Sequence, residues 1–143
     1  MEVIKNNLFG WDVYVRDGYS FDDNKIGKWM FFFKDINLAS ELCEKAIETH
    51  SVYSCKHSDI PRMIANGQGV ACFYLNIDDF DQHKKILSFM MENNMINKTK
   101  LGKLYNISFK LDSQTKAGEY GSDFEGKLKL EKLVNLSTGE FIV

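Results

Sequence analysis

Leu104-Tyr-Asn-Ile-Ser-Phe-Lys-Leu111 alternates a bulky side chain with a small or polar one from Tyr105 onward. Successive strand side chains point to opposite faces, so this stretch predicts a strand with Tyr105, Ile107, Phe109 and Leu111 packed and Asn106, Ser108 and Lys110 turned to solvent. One wet face is a property of antiparallel sheets, whereas a parallel sheet is covered by helices on both sides. This stretch therefore decides the fold class, and its neighbours extend the same reading.

Upstream, Trp11-Asp-Val-Tyr-Val-Arg16 alternates and is rich in strand formers, and Gly27-Lys-Trp-Met-Phe-Phe-Phe33 is apolar on both faces, as in a central strand. Asp17 to Lys25, with Gly18, Asp22, Asp23 and Asn24, reads as the loop joining them. Asn37 is placed to cap a helix running to about His50, in which Leu38, Leu42, Cys43, Ala46 and Ile47 recur at spacings of three and four. Val52 to Ser58 then reads as a strand, the segment with Pro61, Arg62, Asn66, Gly67 and Gly69 as a loop, and Val70-Ala-Cys-Phe-Tyr-Leu75 as a buried strand. Asp79 with Gln82 three residues on opens a second helix through Phe80, Ile86, Leu87, Met90 and Met91, ending near Asn93-Asn94.

After the alternating strand comes a polar stretch from Asp112 to Gly121, and then a terminal hairpin of Lys127 to Asn135 and Glu140 to Val143 around Ser137-Thr-Gly139. The order β-β-α-β-β-α-β-β-β lacks the strict alternation of a doubly wound sheet. It predicts an α+β fold: a curved, largely antiparallel sheet with two or three helices on one convex face.

The 143 residues fit a single domain, and 44% hydrophobic content with 11 Phe excludes a disordered chain. A net charge of −2 excludes bulk-charge binding of long nucleic acid. Cys43, Cys55 and Cys72 form no CxxC pair and read as buried thiols, with neither a disulfide framework nor a zinc site. No apolar run approaches the roughly 20 residues of a membrane span, and Met1 to Lys5 lacks a signal-peptide layout, so a cytoplasmic protein is expected. No motif asks for a metal or cofactor: Asp78, Asp79 and Asp81 lack the glycine of a calcium loop, and Gly102 lacks the spacing of a phosphate loop. The oligomeric state stays open.

The open face carries the functional expectation. If alternation sets Tyr14 and Arg16 apart from Val13 and Val15, and Lys56 with Ser54 apart from Cys55, then Arg16, Lys56 and Lys110 converge there with Ser108. Such a cluster suits phosphate or carboxylate, with Tyr14 or Trp29 to stack on a planar group. Each has a plainer reading: solvated strand lysines, a surface arginine, a core tryptophan. Thr115, Gly118 and Tyr120 read as a loop at the mouth of the face, or as a simple connector. His57 is expected on the helix side as a packing histidine.

Gly27-Lys-Trp29 on an early strand, the amphipathic helix, the strand bearing Lys56, and Phe109-Lys-Leu-Asp-Ser-Gln-Thr115 with Gly118 and Tyr120 together resemble the phosphothreonine lyase-related family. That family includes the basophilic-leukaemia-expressed protein and is similar in fold to the cap-binding translation initiation factor. The resemblance spans roughly residues 11–121. It implies a ligand site on the concave face, where the translation factors grip a base between tryptophans and hold its phosphates with basic side chains. A small phosphorylated, nucleotide-derived ligand is the partner expected, with no membrane and no long nucleic acid. Sequestration of a signalling nucleotide, as phage anti-defence proteins perform it, is one setting for such a binder. Two other classes stand beside it: a lyase using Lys56 or Lys110 as base, and a protein-interaction module working through a helix face or an edge strand.

Overall fold

Seven strands and the helices that cover them are seen in a computed structural model, which describes residues 3–16, 24–112 and 128–143. The chain opens with a hairpin, β1 (Ile4–Leu8) and β2 (Trp11–Val15), closed by Phe9 and Gly10. Both turn residues take positive φ, 51° and 89°, the geometry that matches the twist of a two-residue hairpin. Strand β3 (Ile26–Phe33) leads into α1 (Ile36–Glu48), and β4 (Ser54–Ser58), α2 (Ile60–Asn66) and β5 (Gly69–Asn76) follow. Helix α3 (Phe80–Glu92) precedes β6 (Ser108–Leu111) and the short β7 (Leu128–Lys129), which runs into a single 3-10 turn at Leu130–Lys132.

Every strand pairing is antiparallel, in the order β1-β2-β4-β5-β3-β6-β7. The α+β class and the curved antiparallel sheet are as the sequence predicts. Register fixes what each face carries: Trp29 lies opposite Phe73 and Phe73 opposite Cys55, which itself pairs with Tyr14. Those four are buried beneath α1 and α3, with Phe109, Leu75, Ile47, Ile86, Leu87 and Met90. Burying each large apolar side chain contributes roughly 1.5–3 kcal/mol. Both helices cover this one face: the Cys55 thiol donates to the Cys43 carbonyl of α1, and Trp29 Nε1 donates to His83 Nδ1 of α3 at 3.0 Å.

Several sequence expectations are corrected. Asp35, not Asn37, caps α1, its carboxylate accepting the backbone N–H groups of Asn37 and Leu38. The supposed loop after Ser58 contains α2, capped by Asp59 with Pro61 in its first turn and closed by Gly67 at φ 79°. The alternating stretch is a strand only from Ser108, because residues 97–107 spend their backbone bonds on turns and on the C-terminal segment, among them Tyr105 N–H to Asn97 C=O and Leu104 N–H to Leu136 C=O. Tyr105 is consequently exposed rather than packed. Leu128–Lys129 pairs with β6 instead of with the C-terminus, and only a bridge from Val134 to Phe141 survives of the expected terminal hairpin. Tyr14 and Arg16 face the helix side of β2, opposite to expectation, because Tyr14 registers with Cys55 and not with Lys56.

Candidate functional site on the helix-free face

The same register puts Lys28, Lys56 and Lys110 on the face away from α1 and α3. Lys28 lies directly opposite both Tyr74 of β5 and Lys110 of β6, while Lys56 lies opposite Cys72 and Val13. A lysine therefore stands on each of three strands: Lys28 and Lys110 are cross-strand neighbours, and β5 with its Tyr74 and Cys72 lies between Lys28 and Lys56. Ordinary sheet faces spread like charges apart; this one gathers them.

Aromatic rings lie between the cations. The Lys56 ammonium sits 3.9 Å from the Trp11 ring centroid and 5.6 Å from that of Tyr74, and Lys28 approaches Tyr74 at 5.7 Å. Arg62 of α2 lies over Trp11 at 4.4 Å. Arg62 is aimed by the hairpin turn, donating from Nε to the Gly10 carbonyl and from Nη2 to the Phe9 carbonyl. Asp112 accepts from Lys28 at 3.0 Å, so one carboxylate faces the cluster.

The crowding of this surface bears on its proton affinities. Burial lowers the Lys56 pKa, and the charges of Lys28 and Arg62 lower it further. Lys110 is shifted the same way by desolvation and by Lys28. Burial raises both neighbouring acids on this face, the Tyr74 phenol and the Cys72 thiol, the latter to about 11. The surface thus holds crowded, partly desolvated ammonium groups beside neutral hydroxyl and thiol groups. Chemically it can receive an anion and present rings to a planar group.

Of the site residues proposed from sequence, Lys56 and Lys110 lie on this face, and Ser108 shares the parity of Lys110. Ser108 borders a cleft of about 330 Å³ with Met30, Phe32 and Tyr105. Trp29 is core: it is fully buried and packed edge-on against His83 and Phe109. Tyr14 is buried too, its hydroxyl 3.0 Å from His57 Nε2, which is also met by Ser40 Oγ at 3.1 Å. His57 donates from Nδ1 to the Ser58 carbonyl, as a satisfied packing histidine does. Arg16 stacks over Tyr53 at 4.2 Å and bonds His50 Nδ1, away from the lysines. Thr115, Gly118 and Tyr120 lie outside the described residues.

Sequence reasoning missed Lys28, Tyr74, Trp11, Arg62 and Asp112 as parts of one surface. Two left a signal: Lys28 is the lone charge in an apolar strand, and Tyr74 the lone hydroxyl between Val70 and Leu75. Arg62 left none, since it depends on a helix read as a loop. Cys43, Cys55 and Cys72 are buried and free, and among the described residues no cluster of His, Cys, Asp or Glu could hold a metal. Among the described residues no helix is long and apolar enough to cross a membrane. Comparison with protein-family models, with curated proteins and with solved structures finds no match.

Proposed function

We propose that the helix-free face binds a small phosphorylated, nucleotide-derived ligand. One observation carries this reading: Lys28, Lys56 and Arg62 lie against the rings of Trp11 and Tyr74 with Lys110 opposite Lys28, and the Lys56 ammonium is disfavoured by burial first and then by the charges of Lys28 and Arg62. A phosphate among them removes that repulsion, and Tyr74 or Trp11 offers a ring for a base. The resemblance to the phosphothreonine lyase-related family points to the same face.

A thermal-shift screen with ADP, ADP-ribose, cyclic dinucleotides and pyrophosphate tests the reading, because a ligand that binds only the native state raises the melting temperature. Lys110→Ala and Lys56→Ala should each weaken the best binder by one to two powers of ten, since a charge-assisted phosphate contact contributes about 1.5–3 kcal/mol. No shift with any of these compounds, or undiminished affinity in both variants, overturns it.

A second reading has one observation of its own. A lysine acting as general base needs a lowered pKa, and Lys56 and Lys110 both have one. A lyase acting on a phosphorylated substrate would release an unsaturated product absorbing in the ultraviolet. Recovery of the bound ligand unchanged after many hours separates the binder from that enzyme.

A further inference from the structure

Strand β1 is one edge of the sheet, and all five of its residues are exposed. Edge strands of stable monomers are guarded by prolines, bulges or several charges. Here the sequence Ile4-Lys-Asn-Asn-Leu8 has no proline, pairs with β2 without a bulge, and carries one charge, which is drawn inward over the Tyr14 ring at 5.3 Å. Ile4, Leu8 and Phe9 leave 37%, 51% and 94% of their surface in solvent.

The hairpin geometry dictates which backbone groups face outward. Leu8 and Trp11 flank a two-residue turn and form a hydrogen-bonded pair, so the bonded positions alternate as Leu8, Asn6 and Ile4. The N–H and C=O groups of Lys5 and Asn7 therefore point away from β2. We infer that a second copy of this chain pairs with β1, antiparallel about a two-fold axis at Asn6.

In that register Lys5 exchanges two backbone bonds with Asn7 of the other copy, and Asn7 two with its Lys5. Ile4 lies across from Leu8 in both directions, and Asn6 meets its own counterpart. Shifting the register by two residues one way sets Lys5 against Lys5, a like-charge pair that disfavours it. Shifting it the other way sets Asn7 against Asn7 and leaves Ile4 and Lys5 opposite the turn, so the register centred on Asn6 is the two-fold pairing that uses all five residues. Five residues make a small interface, so the dimer should be weak and dependent on concentration. The helix-free faces of the two copies would then run together as one sheet surface.

Sedimentation over a concentration series should show a reversible rise from 16.5 kDa towards twice that mass. Asn6 counterparts form a non-bonded pair with Cα atoms about 4.5 Å apart, within disulfide reach. Asn6→Cys should therefore cross-link on mild oxidation, whereas Lys5→Cys should not. Asn6→Asp places two like charges on the axis and should shift the dimer to at least tenfold higher concentration, an effect that added salt reverses in part. Its circular dichroism should stay that of the parent, because Asn6 bonds β2 through its backbone alone. A monomer at all concentrations, or a dimer indifferent to Asn6→Asp with no cross-link at position 6, overturns the proposal.

Discussion

Gly27 shows how much one residue decides. A Cβ there would come within 2.4 Å of the Phe109 ring and 2.7 Å of the Lys110 carbonyl, so the glycine is what lets β6 close on β3. Gly27→Ala should destabilise the protein by about 1–3 kcal/mol in urea unfolding, and should weaken ligand binding as well, because it displaces Lys110 from Lys28. His83 is the corresponding residue on the covered face. Its Nε2–H donates to the Ile77 carbonyl at 2.8 Å and its Nδ1 accepts from Trp29, so the neutral ring is fully bonded. Burial lowers its pKa. The unfolded state therefore binds the proton more readily, and stability is full above about pH 6.5 and declines as pH falls from there towards the lowered native value. Unfolding free energies at pH 7 and pH 5 should show that loss. In His83→Gln it should shrink, although the variant is less stable at both values.

Elements were legible in the sequence where one periodicity ruled them. Helices α1 and α3 stood out because apolar residues recur on a single face, and β5 because its apolar run has one length and no helical option. Helix α2 did not, because its seven residues contribute none to the core and its proline and glycine imitate a loop. Strand β1 was hidden for a like reason: with every residue exposed, it has no pattern to display. The face of β2 was inverted because Trp11, Val13 and Val15 against Asp12, Tyr14 and Arg16 offers an apolar set that looks like the core side. The structure turns that set towards Lys56, and buries Tyr14 by giving its hydroxyl a histidine. Lys56 and Lys110 are legible by alternation alone; Lys28 and the rings that meet the lysines require the register. At this scale the caps are testable. Asp35→Ala removes the acceptor for two N–H groups of α1 and should cost about 1 kcal/mol. Asp79→Ala should cost a similar amount through Gln82 N–H of α3. The two losses should add, since each cap serves its own helix.

Across the whole molecule the charge is nearly balanced, net −2, so the positive field is local to one sheet face. That localisation carries a cost in the free protein. Lys56 and Lys110 have native pKa values below their ordinary 10.5, so the folded chain holds these protons less tightly than the unfolded one. Their charged forms oppose folding at neutral pH, and the opposition fades as pH rises through the lowered values towards 10.5. An anion bound between them reverses the sign by drawing the protons back. Ligand binding at alkaline pH should therefore be accompanied by proton uptake, read by calorimetry in two buffers of different ionisation enthalpy. Affinity should fall with rising pH sooner than an ordinary lysine would allow, and should fall with added salt at neutral pH. Lys56→Met separates the two roles, because it keeps an apolar stem against Trp11 while removing the crowded charge. This variant should melt no lower than the parent, yet bind the phosphorylated ligand at least tenfold more weakly. A lower melting temperature with unchanged affinity would make Lys56 a structural lysine, and would leave the anion without its central contact.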